Sequence, residues 1–258
     1  MTRTVAFFND TKHITFDPVE HVYVCQEAGL PVAGVTSILG GAVPKHLTNW
    51  AAKMASEYWV AQIKQGRTDL ETIDKEARLQ HRKAKEAGGT VGTDAHAFCA
   101  AALKDRRAKM PSDPVTAKAC AAFLEWLRST DVQVIEAEKI VFSKEHWYCG
   151  TTDLWGLVNK RKAVLDFKTG KDLYDEHPLQ LAAYAVAIEE DIQERIDDGW
   201  IILLNKTTGK FTPYYVELTE TLKQDWIEVR NSHSAITRTI KTVKEIKNGL
   251  RQQQAAAA

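Results

Sequence analysis

Residues 147–168 hold two apolar, β-branched and aromatic runs, WYCGTTDLWGLV and AVLDFK, separated by the basic turn NKRK. Alternation on both sides of a short polar turn predicts a β-hairpin, and a hairpin this hydrophobic needs a covered sheet around it. Three charges interrupt it: Asp153, Asp166 and Lys168. A loop of two residues (Lys160, Arg161) or of four (159–162) gives the same pairing, with Asp153 facing Lys168 and Trp155 facing Asp166. Side chains alternate across a strand, so Asp166 and Lys168 share one face with Asp153 while Leu165 and Phe167 turn to the core. A three-residue loop would send Asp153 to the other face.

Two carboxylates brought together raise one another's pKa unless a cation neutralises them. Hard oxygen ligands of this kind suit Mg²⁺ or Mn²⁺, as one or two ions, with substrate phosphate completing the shell. A neighbouring lysine can orient or deprotonate water and offset charge that develops on a phosphate. In outline this is phosphodiester hydrolysis. The plain alternative is a surface Asp–Lys pair beside a turn aspartate.

The rest of the chain supplies a frame for such a hairpin. HITFDPVEHVYVCQEAGLPVAGVTSIL reads as a hairpin around Gly29-Leu30-Pro31 that leads into a helix capped by Thr36 or Ser37. Leu47, Trp50, Ala51, Met54 and Tyr58 repeat at helical spacing, and a second helix runs on to a break at Gly88-Gly89. TDAHAFCAAALKDRRAK is helical by composition, and Pro114 opens a further helix. From 132 the period becomes two, giving strands over 132–142, 147–158 and 163–168. Then follow a helix with Pro178 in its first turn, the strands WIILL and FTPYYVEL, and a long polar helix from about 219. The expected fold class is α/β, with α+β segregation along the chain: a central mixed β-sheet flanked by helices. One domain is expected over 1–258, with a helical wall or arch at about 36–130, a sheet core at 131–218, a C-terminal helix at 219–250 and a disordered tail at 252–258.

At 258 residues with 44% apolar and 26% charged content, the composition is that of an ordinary globular enzyme. No run approaches the ~20 apolar residues of a membrane helix, so a cytoplasmic location is expected. Cys25, Cys99, Cys120 and Cys149 form no CxxC pair, so neither a zinc knuckle nor a disulfide framework is suggested. Lysine plus arginine and aspartate plus glutamate both number 34, so net charge gives no support for a nucleic-acid partner. The distribution says more: Lys75, Arg78, Arg82, Lys83, Lys85, Lys104, Arg106, Arg107 and Lys109 crowd into 75–109 and acids into 171–198, which allows a basic and an acidic face, although solvated helix surface is the better reading of either cluster alone.

GTTD, then DFKTG, then QLAAY resembles the GxxD…DxK…QxxxY signature of the PD-(D/E)XK nucleases, in their RecB-like exonuclease branch. GTDAH at 92–96 resembles that branch's G-T-x-x-H helix. Glu138 in EKIVFS resembles the acid on the strand before GxxD. GVTSIL at 34–39, with Trp50-Ala51, resembles its N-terminal segment. Phage exonucleases and the mitochondrial genome maintenance exonuclease are among the likenesses. The resemblance implies a restriction-endonuclease-like core and metal ligation by His96, Asp153, Asp166 and the backbone carbonyl of Phe167. It implies Lys168 as the water-activating residue, and Gln180 with Tyr184 as a pair that holds DNA and the lysine. Glu138 enters as a weaker catalytic candidate with Glu136 as competitor, and Thr169 as a phosphate contact. An iron–sulfur cluster, found in one subgroup, is not expected because no cysteine follows Cys149. No P-loop is present, so a fused motor is excluded.

The function expected is a metal-dependent DNA exonuclease in phage or bacterial recombination or DNA processing. The alternatives are a flap or branch endonuclease and a non-catalytic DNA-binding recombination accessory. DNA is the expected partner, with a recombination or single-strand-binding protein and self-association left open. A glycosidase is disfavoured, since its acid pair needs no adjacent lysine. Trp50, Tyr58, Trp147 and Trp155 are candidates for base stacking, although core packing is the better reading of each.

Overall fold

The computed structural model describes residues 2–43 and 47–256. The chain opens with four short strands, β1 (Arg3–Phe7), β2 (Lys12–Asp17), β3 (Val22–Cys25) and β4 (Leu30–Gly34), paired in order as an antiparallel meander. Helices α1 (Val35–Ala42), α2 (Leu47–Lys64), α3 (Leu70–Lys104) and α4 (Pro114–Ser129) follow. Then come β5 (Val132–Ser143), β6 (Tyr148–Val158), β7 (Arg161–Lys168), α5 (Glu176–Ile192), β8 (Asp198–Leu204), β9 (Phe211–Glu217) and α6 (Glu220–Ala256). The nine strands form one mixed sheet flanked by helices, an α/β layout. No helix among the described residues is long and apolar enough to cross a membrane.

The expected N-terminal hairpin is a four-stranded meander of three successive hairpins, because its first limb folds as both β2 and β3 and β1 pairs with β2, and the following helix is not capped as expected. Gly34 is the N-cap of α1 and offers no side chain, while Thr36 and Ser37 lie inside the helix. The expected break at Gly88-Gly89 does not occur either, and α3 runs unbroken for 35 residues. Two helical glycines cost about 1 kcal/mol each relative to alanine, which good helix formers on both sides outweigh. A Cβ at Gly89 would meet nothing within 4 Å. Gly89→Ala is therefore expected to stabilise the protein by about 0.5–1 kcal/mol, read as a higher midpoint of thermal unfolding. α6 continues as helix through Gln252–Gln254 to Ala256, where an unstructured tail was expected; residues 257 and 258 lie outside the described part.

Both faces of the central strands are covered, so burial runs almost continuously along β6 and β7 instead of alternating. On one face Trp155, Val164, Ile201 and Leu203 pack against α1, α5 and α6 residues such as Ile38, Tyr184, Ile188 and Trp226. On the other, Leu154, Leu165 and Phe167 pack against Phe98 of α3 and Phe123 and Trp126 of α4. The rings of Phe123 and Trp126 stand edge-on to Phe167 at 5.0 and 5.5 Å. A third core joins the meander to β5 through Phe7, Ile14, Phe142 and Cys149.

The pairing around β6 positions everything that follows. One edge of β6 pairs with β5. The other edge is shared: its first two residues pair with β4 in parallel (Ala33 with Tyr148, Gly34 with Cys149), and Leu154 to Val158 pair with β7. Residues 150–153, the GTTD segment, thus occupy a gap in the ladder between β4 and β7.

Candidate active site

The hairpin turns at Asn159-Lys160, both left-handed (φ 50° and 67°), so Val158 pairs with Arg161. This moves the pairing by two residues from the one expected. Continued one step past Leu154–Leu165, it sets Asp153 opposite Asp166, not Lys168, and Trp155 lies opposite Val164. A shift of two leaves each residue on its face, so the acids and the lysine still converge.

Regular pairing stops at Leu154–Leu165 because side chains replace the ladder beyond it. The Asp153 Oδ2 accepts the Phe167 N–H at 2.6 Å, and the Thr152 hydroxyl donates to the Leu165 carbonyl at 3.0 Å. The strands are thereby held apart with their backbone groups satisfied. A strand residue points its N–H and C=O to the same edge, so the Phe167 carbonyl is directed to the open side as well.

Around this opening, Lys168 Nζ lies 2.6 Å from Asp166 Oδ2 and donates to Gln180 Oε1 at 3.0 Å. Gln180 Nε2 in turn donates to the Tyr184 hydroxyl at 2.6 Å. Gln180 and Tyr184 are buried, one turn apart on α5. Tyr184, itself buried, thus serves as an anchor for Gln180. Gly150 explains how the tyrosine fits: a Cβ there would sit 2.7 Å from Tyr184 Cε1 and 3.0 Å from Val35 Cγ2. From α3, His96 Nδ1 meets Asp153 Oδ1 at 2.9 Å. Gly92, one turn before His96, lies against Thr169, whose Oγ1 would be 3.4 Å from an added Cβ.

The charges balance within this cluster. Asp153 raises the His96 imidazole to about 9 against the opposing effect of burial, which makes it a cation at neutral pH. Burial pushes Asp153 up, but His96, Lys168 and the Phe167 N–H outweigh it and hold the carboxyl low. Asp166 goes the other way: burial and the Asp153 charge raise it despite Lys168. Burial lowers Lys168, and the two acids more than reverse that.

These residues fit a divalent cation. Asp166 Oδ2 is buried and faces the Lys168 ammonium at 2.6 Å, with no other polar contact. Asp153 and the Phe167 carbonyl offer further hard oxygen donors, and His96 adds a borderline nitrogen once the imidazole sheds its proton. Glu138 lies across β6 from this group, between the pairs Ala137–Leu154 and Lys139–Thr152, with φ of 53°. Burial and then Asp153 raise its carboxyl, which places it within the field of the site. Its competitor Glu136 is paired to Lys139 at 2.9 Å.

Lys168, Thr169, His96 and Gln180 line a cleft of about 330 Å³. Tyr174, Glu176 and His177 line it too, and sequence reasoning missed all three. The signal available was their place in KDLYDEHP, directly after DFKTG. The aromatics singled out earlier are engaged elsewhere. Trp155 is core, Trp147 stands edge-on to Phe142, Tyr58 donates to Glu76 and Trp50 packs edge-on against His81. All nine basic residues of 75–109 are exposed. The acidic run is not a free face: Asp191 accepts the Phe8 N–H, Glu189 pairs with Lys223 and Asp198 with Arg161.

Among the described residues, the carboxylate and imidazole atoms that gather within 4.8 Å of one another are those of Glu145, His146 and Glu190. The Glu190 carboxylate there is occupied, accepting from the Ser143 hydroxyl and from the N–H groups of Lys144 and Glu145. It caps a turn. The four cysteines are buried, Cys25 and Cys149 in the meander core, Cys99 and Cys120 between α3 and α4.

Comparison with protein families matches residues 151–242 to the family described as CRISPR-associated exonuclease Csa1. The matched span contains Asp153, Asp166, Lys168, Gln180 and Tyr184 and leaves out His96 and Glu138. No curated protein matches the chain. The family match supports a nuclease.

Proposed function

We propose that the chain is a metal-dependent deoxyribonuclease of the PD-(D/E)XK type that degrades DNA from its ends. The observation that carries this reading is the convergence of Asp153, Asp166 and Lys168 in the gap of the β6 ladder, with Lys168 fixed by Gln180. Asp153, Asp166, His96 and the Phe167 carbonyl would hold Mg²⁺ or Mn²⁺. Bound there, the ion supplies positive charge that neutralises the acid pair and polarises the scissile phosphate. Lys168 orients the attacking water and offsets charge on the phosphate, and Gln180 keeps its ammonium in place. Thr169 contacts a phosphate oxygen, and Glu138 adjusts the charge on Asp153 from the β5 side. The exposed basic residues of α3 guide the strand through phosphate contacts, so activity falls as salt rises.

Digestion of end-labelled single- and double-stranded DNA in Mg²⁺ or Mn²⁺ tests the reading, with EDTA as control and circular single strands alongside. Linear DNA is expected to be shortened and circles left intact, with both unchanged in EDTA. Cut circles would turn the reading to an endonuclease. Linear DNA intact in both metals would remove it.

A further inference from the structure

We propose that Tyr174 is a stacking platform for a nucleobase of the strand being cut, so that the site takes its substrate as a single strand. This rests on the nuclease reading above and names the form of the substrate. Tyr174 sits in the segment between β7 and α5. Its ring passes alongside Gly170, where an added Cβ would lie 3.8 Å from Tyr174 Cε2. On the α5 side the ring meets His177 edge-to-face, with centroids 5.4 Å apart. The Tyr174 N–H donates to His177 Nδ1 at 3.2 Å, and the His177 N–H donates to the Tyr174 carbonyl at 3.0 Å.

The backbone of Tyr174 is therefore tied at both its polar groups to a buried residue of α5, yet its side chain is 51% exposed. It faces a cleft that it shares with Lys168, Thr169 and Gln180. A fixed, half-exposed aromatic ring contributes little to a core. Next to a cation and hydroxyl suited to phosphate, it offers what an unpaired nucleotide needs: a π surface for the base beside charge for the backbone. Every base has a π-face, so such a platform is tolerant of sequence. A base inside a duplex is covered by its neighbours and reaches the ring only after leaving the stack.

Tyr174→Ala and Tyr174→Phe, compared with wild type on linear single strands and on strands with abasic ends, test this. Tyr174→Ala is expected to raise KM about five- to a hundredfold with kcat within about twofold, whereas Tyr174→Phe stays near wild type. Abasic ends should impose the same rise on the wild type and erase its difference from Tyr174→Ala. An unchanged KM for Tyr174→Ala, with wild type active, overturns the proposal and leaves the nuclease reading intact. Should wild type cut nothing, the nuclease reading fails and stacking is judged by binding of a single strand carrying 2-aminopurine. Quenching that Tyr174→Ala abolishes supports the platform, and equal quenching overturns it.

Discussion

Lys168→Ala is expected to slow DNA degradation by about a thousandfold or more while DNA binding and cooperative unfolding persist. The ammonium lies 2.6 Å from a buried acid and is also held by a neutral side chain, Gln180, at 3.0 Å. On the proposed function, its removal takes charge and water orientation from the site but leaves the exposed basic residues of α3 to meet the phosphates. Lys168→Arg should not restore activity. A planar guanidinium does not fit a position set by Asp166 Oδ2 on one side and Gln180 Oε1 on the other. Gln180→Ala acts only through the lysine and is expected to lose about ten- to a hundredfold. The check is a rate series on one end-labelled strand at saturating metal, with melting curves for each variant to separate chemistry from folding. Wild-type rates in Lys168→Ala would take the amine out of the mechanism.

The meeting of Asp153, Asp166 and Lys168 on one face was legible because it depends only on parity along two strands. The two-residue error in register came from the turn. Asn159 and Lys160 both adopt positive φ, and Asn is the residue that favours this, yet the run NKRK offered three further polar positions as loop. What keeps the site open was not legible. The gap at residues 150–153 exists because β4 takes the start of the β6 edge, and that contact joins Gly34 to Cys149, far apart in sequence. No local pattern encodes such a pairing. The Tyr23 hydroxyl, bonded to Thr151 at 2.9 Å, ties the same gap to the meander and was equally invisible. Tyr174 escaped notice because exposure distinguishes it from core aromatics, and exposure is set by tertiary structure. Gly88-Gly89 misled for the opposite reason: a local breaker was overruled by the length and packing of the helix around it.

Gly156→Ala is expected to give the largest loss of stability among the glycine-to-alanine changes at the described residues. An added Cβ would lie 2.3 Å from the Gln133 carbonyl oxygen and 3.3 Å from its carbon, both backbone atoms of the neighbouring strand. No rotamer change relieves such a clash. The position lies at the β-bulge, where the β5 register moves between Val134 and Glu136 and Ile135 is left over. The bulge draws the β5 backbone towards β6, and only a residue without Cβ admits it. Relief requires β5 and β6 to separate at the strand pair on which the sheet is built, at a cost of about 2–3 kcal/mol. For a chain of this length that lowers the unfolding midpoint by about 4–12 °C, measurable by circular dichroism. Activity should fall further than the melt alone explains, because Glu138 and its neighbours beyond the bulge would shift relative to Asp153. Gly89→Ala, the same chemical change at an open helical position, should move the midpoint upward. An unchanged midpoint in Gly156→Ala would mean that β5 does not approach β6 as closely as this bulge requires, and the placement of Glu138 opposite Asp153 would fall with it.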